Sequence, residues 1–479
     1  MVDLTLLGID VGTTSLKACA FDSSGNILAS HTEDYSLITE GDLIEFEPEK
    51  YYEICVNAIH EIRGKVGNID ALSIDTQGET MIVTDEAGNP LRRAIVWLDN
   101  RAEAEAGEIE KAFTRKKVYE ITGQPEITAG WPASKLLWIK RHEPEVFSRI
   151  RKIFMLEDYL IFRLTGRFAS ERTMQSSTIY FDINSGEWWD EMLSFIGITR
   201  DLLPELVDSG EIIGTTKEGI TVAGGALDQI AGAIGAGIIH EGEASEMTGT
   251  TMAICAVSGS VPGFDPESKI PCHFHAVKGK YCLLLWSPTA GMALKWFRNT
   301  FCPERSFREL DELAKAVPPG CEGLTMLPYL CGSTIPFYNP SAQGVFFGMT
   351  LGHTAGHFAR SILEAVAFML KNNLDYLSGR YETIKTMGGG ALSPLWCQIK
   401  ADVTGKKLVT LKNTETACLG SAILAGVGIG ALESIESAVR DIVSPDKVYA
   451  PSGADYSEAI SRFNTIDNRL NNWKGGLWE

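Results

Sequence analysis

A carboxylate, a glycine and a run of hydroxyls lie close together near the start of the sequence. Asp10 stands two residues before Gly12, and Thr13, Thr14 and Ser15 follow it. A glycine lets the backbone come close to a phosphate, and turn N–H groups and Thr or Ser hydroxyls bind the phosphate oxygens. A neighbouring carboxylate can reach Mg²⁺ through the water that this ion retains. The pattern indicates a phosphate-binding turn with Asp10 as the metal site. For this copy alone, an ordinary β-hairpin with a polar turn is the favoured alternative.

The Gly-Thr-Thr sequence occurs again near the middle of the chain, at residues 249–251. Both copies precede a short apolar run, which predicts a β-hairpin at each place and two similar α/β halves. The residue two positions before the glycine is Asp10 in the first copy and Met247 in the second. Because a duplicated phosphate clamp needs only one carboxylate for a cation, we expect the metal in the first copy. Lys17 adds a positive charge there.

Two further apolar runs of the first half end in polar clusters. The stretch 68–80 is a strand candidate that ends in Asp75, Gln77 and Glu79, and the stretch 92–102 ends in Trp97, Asp99 and Arg101. Open α/β sheets bind ligands beyond the carboxyl ends of their strands, so these clusters predict a ligand site. The alternative is ordinary turn chemistry with Trp97 in the core.

Asp228 stands at the start of a predicted helix that consists almost entirely of Gly, Ala and Ile. A short strand with Gly224 and Gly225 precedes it, and the small residues predict close helix packing. The helix dipole favours a carboxylate in the first turn. Asp228 is therefore a candidate general base, and simple helix capping is the alternative.

Three glycines, Gly388 to Gly390, precede a predicted helix of the second half. Ser393 fits the N-cap of that helix and Pro394 its first turn. A glycine triplet lets a flat, bulky ligand lie against the backbone, and the alternative is a tight strand–helix turn.

Composition limits the class of protein. A chain of 479 residues predicts two domains, and a net charge of −19 argues against nucleic acid or an anionic membrane as a partner. The ten cysteines contain no CxxC pair, which argues against a zinc site and fits the cytoplasm. The apolar run 416–432 is short and rich in glycine, so we expect a buried helix there rather than a membrane segment.

Two longer stretches resemble the signatures of the FGGY carbohydrate kinases. They are GWPASKLLWIKRH at 130–142 and GVFFGMTLGHTAGHFARSILE at 344–364, and the resemblance extends from residue 4 to about residue 430. It implies an α/β fold with two ribonuclease-H-like domains, of the actin and sugar-kinase type, flanking a deep cleft. Residues 1–242 would bind the sugar and carry the catalytic base, and residues 243–479 would bind ATP. The resemblance also implies Mg²⁺ and phosphoryl transfer to a hydroxyl of a small sugar or polyol.

Site residues follow from the resemblance, position by position. Asp228 matches the catalytic base, and Asp10 lies in the first phosphate loop as the metal residue. The positions that match the substrate site are Gln77, Gly78, Glu79, Trp97, Asp228 and Gln229. The positions that match the ATP site are Gly12, Thr13, Thr14, Lys17, Gly249, Thr250, Thr251, Gly388, Gly389, Gly390 and Ser393.

The sugar pocket combines features of two kinds of FGGY kinase. Xylulokinases carry Gln-Met-His-Gly where this chain has residues 77–80, whereas Glu79 and Thr80 match the glycerol kinases. The motif WLDNR at 97–101 resembles xylulokinases, and LDQ at 227–229 resembles glycerol kinases. The first candidate is therefore a kinase for a neutral ketopentose such as xylulose, and Gly78 is expected to leave room for a chain longer than glycerol. The alternatives are a kinase for glycerol, erythritol or a hexulose, and a catalytically silent actin-fold sensor of sugar or nucleotide.

The C-terminal segment 456–473 predicts one more helix. Ile460, Phe463, Ile466 and Leu470 recur at helical spacing. This helix either packs on a domain or joins a homodimer.

Overall fold

The computed structural model describes residues 4–266, 270–334, 339–377, 379 and 381–471. Contacts divide the chain into two compact units. Unit 1 comprises residues 1–239, 258–282 and 415–443, and unit 2 comprises residues 240–257, 283–414 and 444–479. Both units therefore combine segments that are distant in the sequence. The division of roles between residues 1–242 and 243–479 stays a prediction.

Strands and helices alternate along both units, as expected for an α/β chain. In the described ranges the strands are β1 (Leu6–Val11), β2 (Ser15–Phe21), β3 (Ile27–Asp34), β4 (Ile38–Glu40), β5 (Leu43–Phe46), β6 (Ala71–Thr76), β7 (Met81–Thr84), β8 (Ala94–Ile95), β9 (Lys152–Met155), β10 (Ala169–Glu171), β11 (Phe181–Asp182), β12 (Glu187–Trp188), β13 (Glu205–Val207), β14 (Ile212–Thr215), β15 (Thr221–Leu227), β16 (Ala244–Thr248), β17 (Met252–Ser258), β18 (Cys272–Phe274), β19 (Tyr281–Ser287), β20 (Thr325–Leu327), β21 (Val345–Phe347), β22 (Thr383–Met387), β23 (Lys407–Leu411) and β24 (Pro445–Tyr449). The helices are α1 (Pro48–Val66), α2 (Glu103–Phe113), α3 (Arg115–Thr122), α4 (Pro132–His142), α5 (Pro144–Arg149), α6 (Leu156–Thr165), α7 (Arg172–Gln175), α8 (Asp190–Ile196), α9 (Asp228–Gly235), α10 (Gly291–Phe301), α11 (Phe307–Lys315), α12 (Ala355–Tyr376), α13 (Pro394–Thr404), α14 (Thr416–Gly428), α15 (Ile435–Ile442) and α16 (Ser457–Asn471).

The main sheet of unit 1 has the strand order β14-β15-β6-β1-β2-β3. β1 and β2 form the predicted antiparallel hairpin, whereas β6 runs parallel to both β1 and β15. Every residue of β1 except Asp10 is buried, which is typical of a central strand covered on both faces. On one face, Leu7, Ile9 and Val11 join the core that α1 and α6 complete.

The other face of β1 is covered by α14, which packs there at very short range. A Cβ at Gly8 would collide with the carbonyl oxygen of Cys418, and a Cβ at Gly420 would collide with that of Ala231 on α9. The expected close packing of small residues is therefore confirmed. The described chain has no helix long and apolar enough to cross a membrane, and α14 is the buried helix predicted at 416–432.

Unit 2 contains a sheet with the same topology as unit 1. Six of the seven strands of this sheet lie in the order β24-β23-β22-β16-β17-β19, with an antiparallel β16–β17 hairpin and parallel β16, β22 and β23. Met247 pairs with Met387 between β16 and β22, as Asp10 pairs with Asp75 between β1 and β6. The predicted duplication is thus present, and only the first copy carries carboxylates at this register.

The predicted C-terminal helix is present as α16, and residues 472 and 473 lie outside the described residues. Phe463 is fully buried and its ring lies 5.5 Å from that of Phe368 on α12. Arg462 Nε donates to Thr325 Oγ1 at 2.8 Å. The helix packs within unit 2, and a homodimer stays a prediction.

Candidate active site

Three carboxylates lie at the carboxyl ends of adjacent parallel strands of unit 1. Asp10 on β1 pairs with Asp75 on β6, and Asp228 follows directly after β15 at the start of α9. Asp75 is fully buried, whereas Asp10 and Asp228 are partly exposed. The sheet therefore brings the predicted metal residue and the predicted base to one edge, where open α/β sheets bind ligands.

Burial raises the pKa of all three carboxylates, and the charge of Asp10 raises the pKa of Asp75 and Asp228 further. The pKa of Asp10 rises to about 6 and that of Asp228 to about 8, mainly through burial. Burial and the charge of Asp10 hold the pKa of Asp75 well above its usual range. Ser421 Oγ donates a hydrogen bond of 2.6 Å to Asp75 Oδ2. A cation or a proton would relieve the repulsion at this edge.

The carboxylates at this edge do not form a closed ligand set for a cation. In the ranges that the structure describes, no group of three or more His, Cys, Asp or Glu side chains could hold a metal ion. Partly exposed Asp10 fits Mg²⁺, because this ion keeps several waters and commonly takes only one or two carboxylates.

Asp228 has the exposure and environment that a general base needs. Its Oδ1 accepts a hydrogen bond of 2.6 Å from the Gln229 N–H in the first turn of α9. The charges of Asp10 and Glu79 add to burial in raising its pKa. A carboxylate whose pKa lies near neutral pH is well suited to accept a proton.

Two aromatic side chains, Tyr35 and Trp97, donate hydrogen bonds to the first Gly-Thr-Thr turn. Gly12 N–H donates to the Ser15 carbonyl at 3.0 Å, and the Tyr35 hydroxyl donates to the Gly12 carbonyl. Trp97 Nε1 donates to Thr13 Oγ1 at 3.0 Å, so the predicted sugar and phosphate positions meet here.

Lys17 makes an ion pair that the sequence did not indicate. Its Nζ lies 2.6 Å from Glu415 Oε2, a residue 398 positions away. Lys17 remains one-third exposed, so its predicted phosphate role stays a prediction.

The predicted substrate loop after β6 contains a strained turn at Glu79. Glu79 has a φ of +53°, and Thr80 N–H donates to the Gly78 carbonyl at 2.6 Å across it. A non-glycine residue rarely adopts a positive φ, and such strain concentrates at functional sites. Gln77 is anchored beside it, because its N–H donates to the Val11 carbonyl at 3.1 Å.

Lys135 stabilises this loop through hydrogen bonds, and it was not predicted as a site residue from the sequence. It is fully buried, and its Nζ donates to the carbonyls of Glu79, at 2.8 Å, and Val96, at 3.0 Å. Burial lowers the pKa of Lys135 to about 7 and raises that of Glu79 to about 7, and each charge partly offsets the shift of the other. Lys135 thus joins the Glu79 loop to the segment that ends at Trp97.

The second Gly-Thr-Thr turn, in unit 2, rests on the start of α10. Gly291 N–H donates to the Gly249 carbonyl at 2.9 Å, and Ala290 N–H donates to the Thr250 carbonyl at 3.0 Å. A Cβ at Gly249 would meet nothing within 4 Å, and Thr250 is exposed. The start of α10 therefore fixes the backbone of this turn, while the Gly249 position stays open. Thr251 is partly exposed.

The glycine triplet after β22 combines tight packing with exposure. Gly388 has a φ of +73°, and a Cβ at Gly390 would lie 2.8 Å from Thr248 Cβ. Gly389 is exposed, and a Cβ there would meet nothing within 4 Å. Ser393 Oγ accepts a hydrogen bond of 3.1 Å from Trp396 N–H, which confirms the predicted N-cap of α13. The nucleotide roles of these residues stay predictions.

The N-terminal domain model of the FGGY family of carbohydrate kinases matches residues 5–237, and the C-terminal domain model matches residues 273–429. The chain belongs to the FGGY family of carbohydrate kinases. It is therefore a sugar kinase that uses ATP. The alternative of a catalytically silent sensor of sugar or nucleotide is excluded. The two-domain α/β fold of the actin and sugar-kinase type is confirmed.

Individual relatives cover nearly the whole chain. A xylulose kinase of Bacillus subtilis (strain 168) is 29% identical over 97% of this chain and 96% of its own length. A gluconokinase of the same strain is 28% identical over 98% of this chain and 96% of its own. A ligand-bound xylulose kinase from Lactobacillus acidophilus matches with a TM-score of 0.91 and 27% identity, over 98% of this chain and 99% of that chain.

The expected room beside Gly78 in this FGGY kinase is absent. A Cβ at Gly78 would lie 2.9 Å from Leu227 Cδ1 and 3.0 Å from Ser177 Oγ. That interpretation of Gly78 is wrong, because protein side chains already fill the space that a side chain would take. A side chain at this position would require the side chain of Leu227 or Ser177 to shift.

Proposed function

We propose that this kinase phosphorylates a hydroxyl of a neutral sugar, with xylulose as the first candidate. The similarity to xylulose kinases over nearly the full length carries this proposal. The acidic side chains of the site support a neutral substrate, because Asp10, and Glu79 and Asp228 when they ionise, would repel an acidic sugar.

Two alternatives have specific support. Gluconate is a candidate because a gluconokinase is nearly as similar as the xylulose kinases. A polyol such as glycerol or erythritol, or a hexulose, is a candidate because Glu79 and Thr80 depart from the pattern of xylulokinases.

Asp228 is the proposed catalytic base. The sugar hydroxyl would lie against its partly exposed carboxylate, held by Gln77, Glu79, Trp97 and Gln229. Asp228 would orient the hydroxyl and accept its proton as the oxygen attacks the γ-phosphoryl group.

ATP would be held by both Gly-Thr-Thr turns and by the glycine triplet. The backbone N–H groups and hydroxyls of Gly12–Thr14 and Gly249–Thr251 would bind phosphate oxygens, and Gly389, Gly390 and Ser393 would bind the adenosine end. Asp10 would hold Mg²⁺ through water. The bound ion supplies positive charge against the transferred phosphoryl group.

We also infer a cytoplasmic location. None of the ten cysteines, all of which lie in the described ranges, forms a disulfide, and nine of them are buried, which suits a reducing compartment.

A substrate screen tests the proposal. ADP release is measured with xylulose, ribulose, erythritol, glycerol, a hexulose and gluconate, each with ATP and Mg²⁺. We expect the highest kcat/KM with a ketopentose. A preference for gluconate would overturn the neutral-substrate proposal, and a preference for glycerol would favour the polyol alternative.

A further inference from the structure

A fully buried ion pair lies beneath the two predicted nucleotide loops of unit 2. Lys400 on α13 and Glu246 on β16 have no solvent exposure, and Lys400 Nζ lies 2.7 Å from Glu246 Oε1. Charged side chains are almost never fully buried unless they are paired, because removing them from water is costly. The chain therefore maintains this pair against a substantial desolvation cost.

Two threonine hydroxyls complete the network. Lys400 Nζ also donates to Thr248 Oγ1 at 2.7 Å, and Thr248 Oγ1 donates to Glu246 Oε2 at 2.6 Å. Thr386 Oγ1 donates to Glu246 Oε1. The network thus joins β16, β22 and α13 through directional hydrogen bonds.

Each strand of this network leads directly into a predicted nucleotide loop. Thr248 is the residue before Gly249, and Thr386 stands two residues before Gly388. A Cβ at Gly390 would lie 2.8 Å from Thr248 Cβ and 3.3 Å from Lys400 Nζ. The side chains of the network therefore contact the glycine triplet as well as the end of the hairpin strand.

Unit 1 shows that the fold itself does not require such a network. Glu246 pairs with Thr386 one position before the Met247–Met387 pair, and the corresponding pair in unit 1 is Ile9 with Ile74. Both isoleucines are fully buried and apolar. The same strand arrangement is thus stable with an apolar interior, which is often at least as stable as a buried ion pair.

We propose that Lys400 and Glu246 are positioning residues that hold the second Gly-Thr-Thr turn and the glycine triplet in the geometry that binds ATP. This inference rests on the proposed nucleotide roles of Gly249–Thr251 and Gly388–Ser393. Neither residue touches the nucleotide, because both are buried under the loops. Their effect is to fix the separation of two backbone segments that must contact one ligand together.

The test is the double variant Lys400→Met/Glu246→Gln. Removing both charges avoids leaving one of them buried and unpaired, so the variant retains the fold. We expect the KM for ATP to rise by about tenfold, while the KM for the sugar changes by less than about twofold, because loop misplacement acts on the nucleotide alone. ADP affinity, measured by calorimetry, should fall in parallel.

A second buried ion pair in unit 2 provides the matched control. Arg360 and Glu364 on α12 are almost fully buried, 2.7 Å apart, and Arg360 Nη2 donates to the Tyr456 hydroxyl at 2.7 Å. The variant Arg360→Met/Glu364→Gln should lower the melting temperature and leave the KM for ATP within about twofold of wild type. Equal effects of the two double variants on the KM for ATP would overturn the proposal, because they would indicate a general loss of stability.

The variant Gly389→Ala separates this inference from the proposed nucleotide site. It adds a methyl group at an open position of the triplet itself. An unchanged KM for ATP in Gly389→Ala would reject the nucleotide role of the triplet. A raised KM in Gly389→Ala with an unchanged KM in the Lys400→Met/Glu246→Gln variant would reject the positioning role alone.

Discussion

Asp228 is the residue whose removal tests the chemistry most directly. The change Asp228→Asn keeps the side-chain oxygen that accepts the Gln229 N–H bond, so the fold and ADP affinity should be retained. Turnover should fall by roughly 10²-fold or more, since the proton acceptor is lost. Steady-state kinetics and ADP calorimetry measure the two quantities. A near-normal kcat would remove Asp228 from the proposed mechanism.

The two hairpins offer a paired test of the metal residue. Asp10 and Met247 occupy equivalent register positions, and only Asp10 carries a carboxylate. Asp10→Asn should raise the Mg²⁺ concentration for half-maximal activity sharply, by roughly tenfold or more, since a ligand of the hydrated ion is lost. Met247→Leu is the control and should change it little. Similar Mg²⁺ titrations for both variants would contradict the assignment.

Glu79 tests what the pocket recognises. A carboxylate accepts hydrogen bonds from two adjacent hydroxyls, so Glu79→Ala should raise the sugar KM and lower kcat, because a loosely held sugar loses its alignment. The variant and wild type are compared on xylulose, ribulose, erythritol, glycerol and gluconate. On wild type, gluconate should be poor because of repulsion by Glu79 and Asp228. An unchanged substrate profile in Glu79→Ala would refute this role.

The sequence predicts well where Asp10 and Asp228 lie, because a local pattern places them. Asp10 and Asp228 stand at strand ends, so alternation of strands and helices is enough to bring them to one edge. Lys135, Glu415 and Ser421 were missed because their partners lie 56, 398 and 346 residues away. No local signal encodes such contacts. The filled space beside Gly78 was missed for the same reason, since Ser177 and Leu227 come from distant segments.

At the scale of elements, the contact between α9 and α14 depends on glycine. Gly420→Ala should lower the free energy of unfolding by about 2 kcal/mol or more, because the new Cβ would collide with the Ala231 carbonyl. Gly64→Ala is the matched control, since Gly64 is an exposed residue of helix α1 and a Cβ there would meet nothing within 4 Å. It should raise stability by about 0.5–1 kcal/mol. Chemical denaturation measures both, and equal signs would contradict this account.

Element types were predictable to different degrees. Both hairpins, β6, β15 and the capped helix α13 follow from apolar runs and turn residues in the sequence. The membership of α14 in unit 1 does not, because it depends on tertiary packing against β1 and α9. The sequence predicted that this helix is buried and could not predict which sheet it covers.

At the scale of the whole molecule, buried carboxyls make stability depend on pH. Burial raises the pKa of Asp158 to about 7 from an ordinary value of 3.8. The folded chain thus keeps this proton up to about pH 7, whereas the unfolded chain loses it near pH 4. This group's contribution to the free energy of unfolding therefore falls as pH rises from about 4 to about 7.

Asp158→Asn tests this dependence. An asparagine oxygen can still accept the 2.8 Å bond from Met155 N–H but cannot ionise. Relative to wild type, the variant should gain roughly 1 kcal/mol or more between pH 4 and pH 7 and little above that. Urea denaturation at several pH values measures the difference, and parallel curves for the two proteins would contradict the prediction.

The packing of α14 on β1 also has a consequence for how the protein is made. β1 is synthesised about 400 residues before the helix that covers one of its faces, because that helix starts at residue 416. While the ribosome adds the 283–414 segment of unit 2, unit 1 stays incomplete, with the Gly8 face of its central strand uncovered. The sheet of unit 2 is likewise incomplete until β24, at residues 445–449, has been synthesised. Neither unit can therefore finish folding before residues 415–449 have been made, and a nascent chain stalled before residue 415 would be a substrate for chaperones.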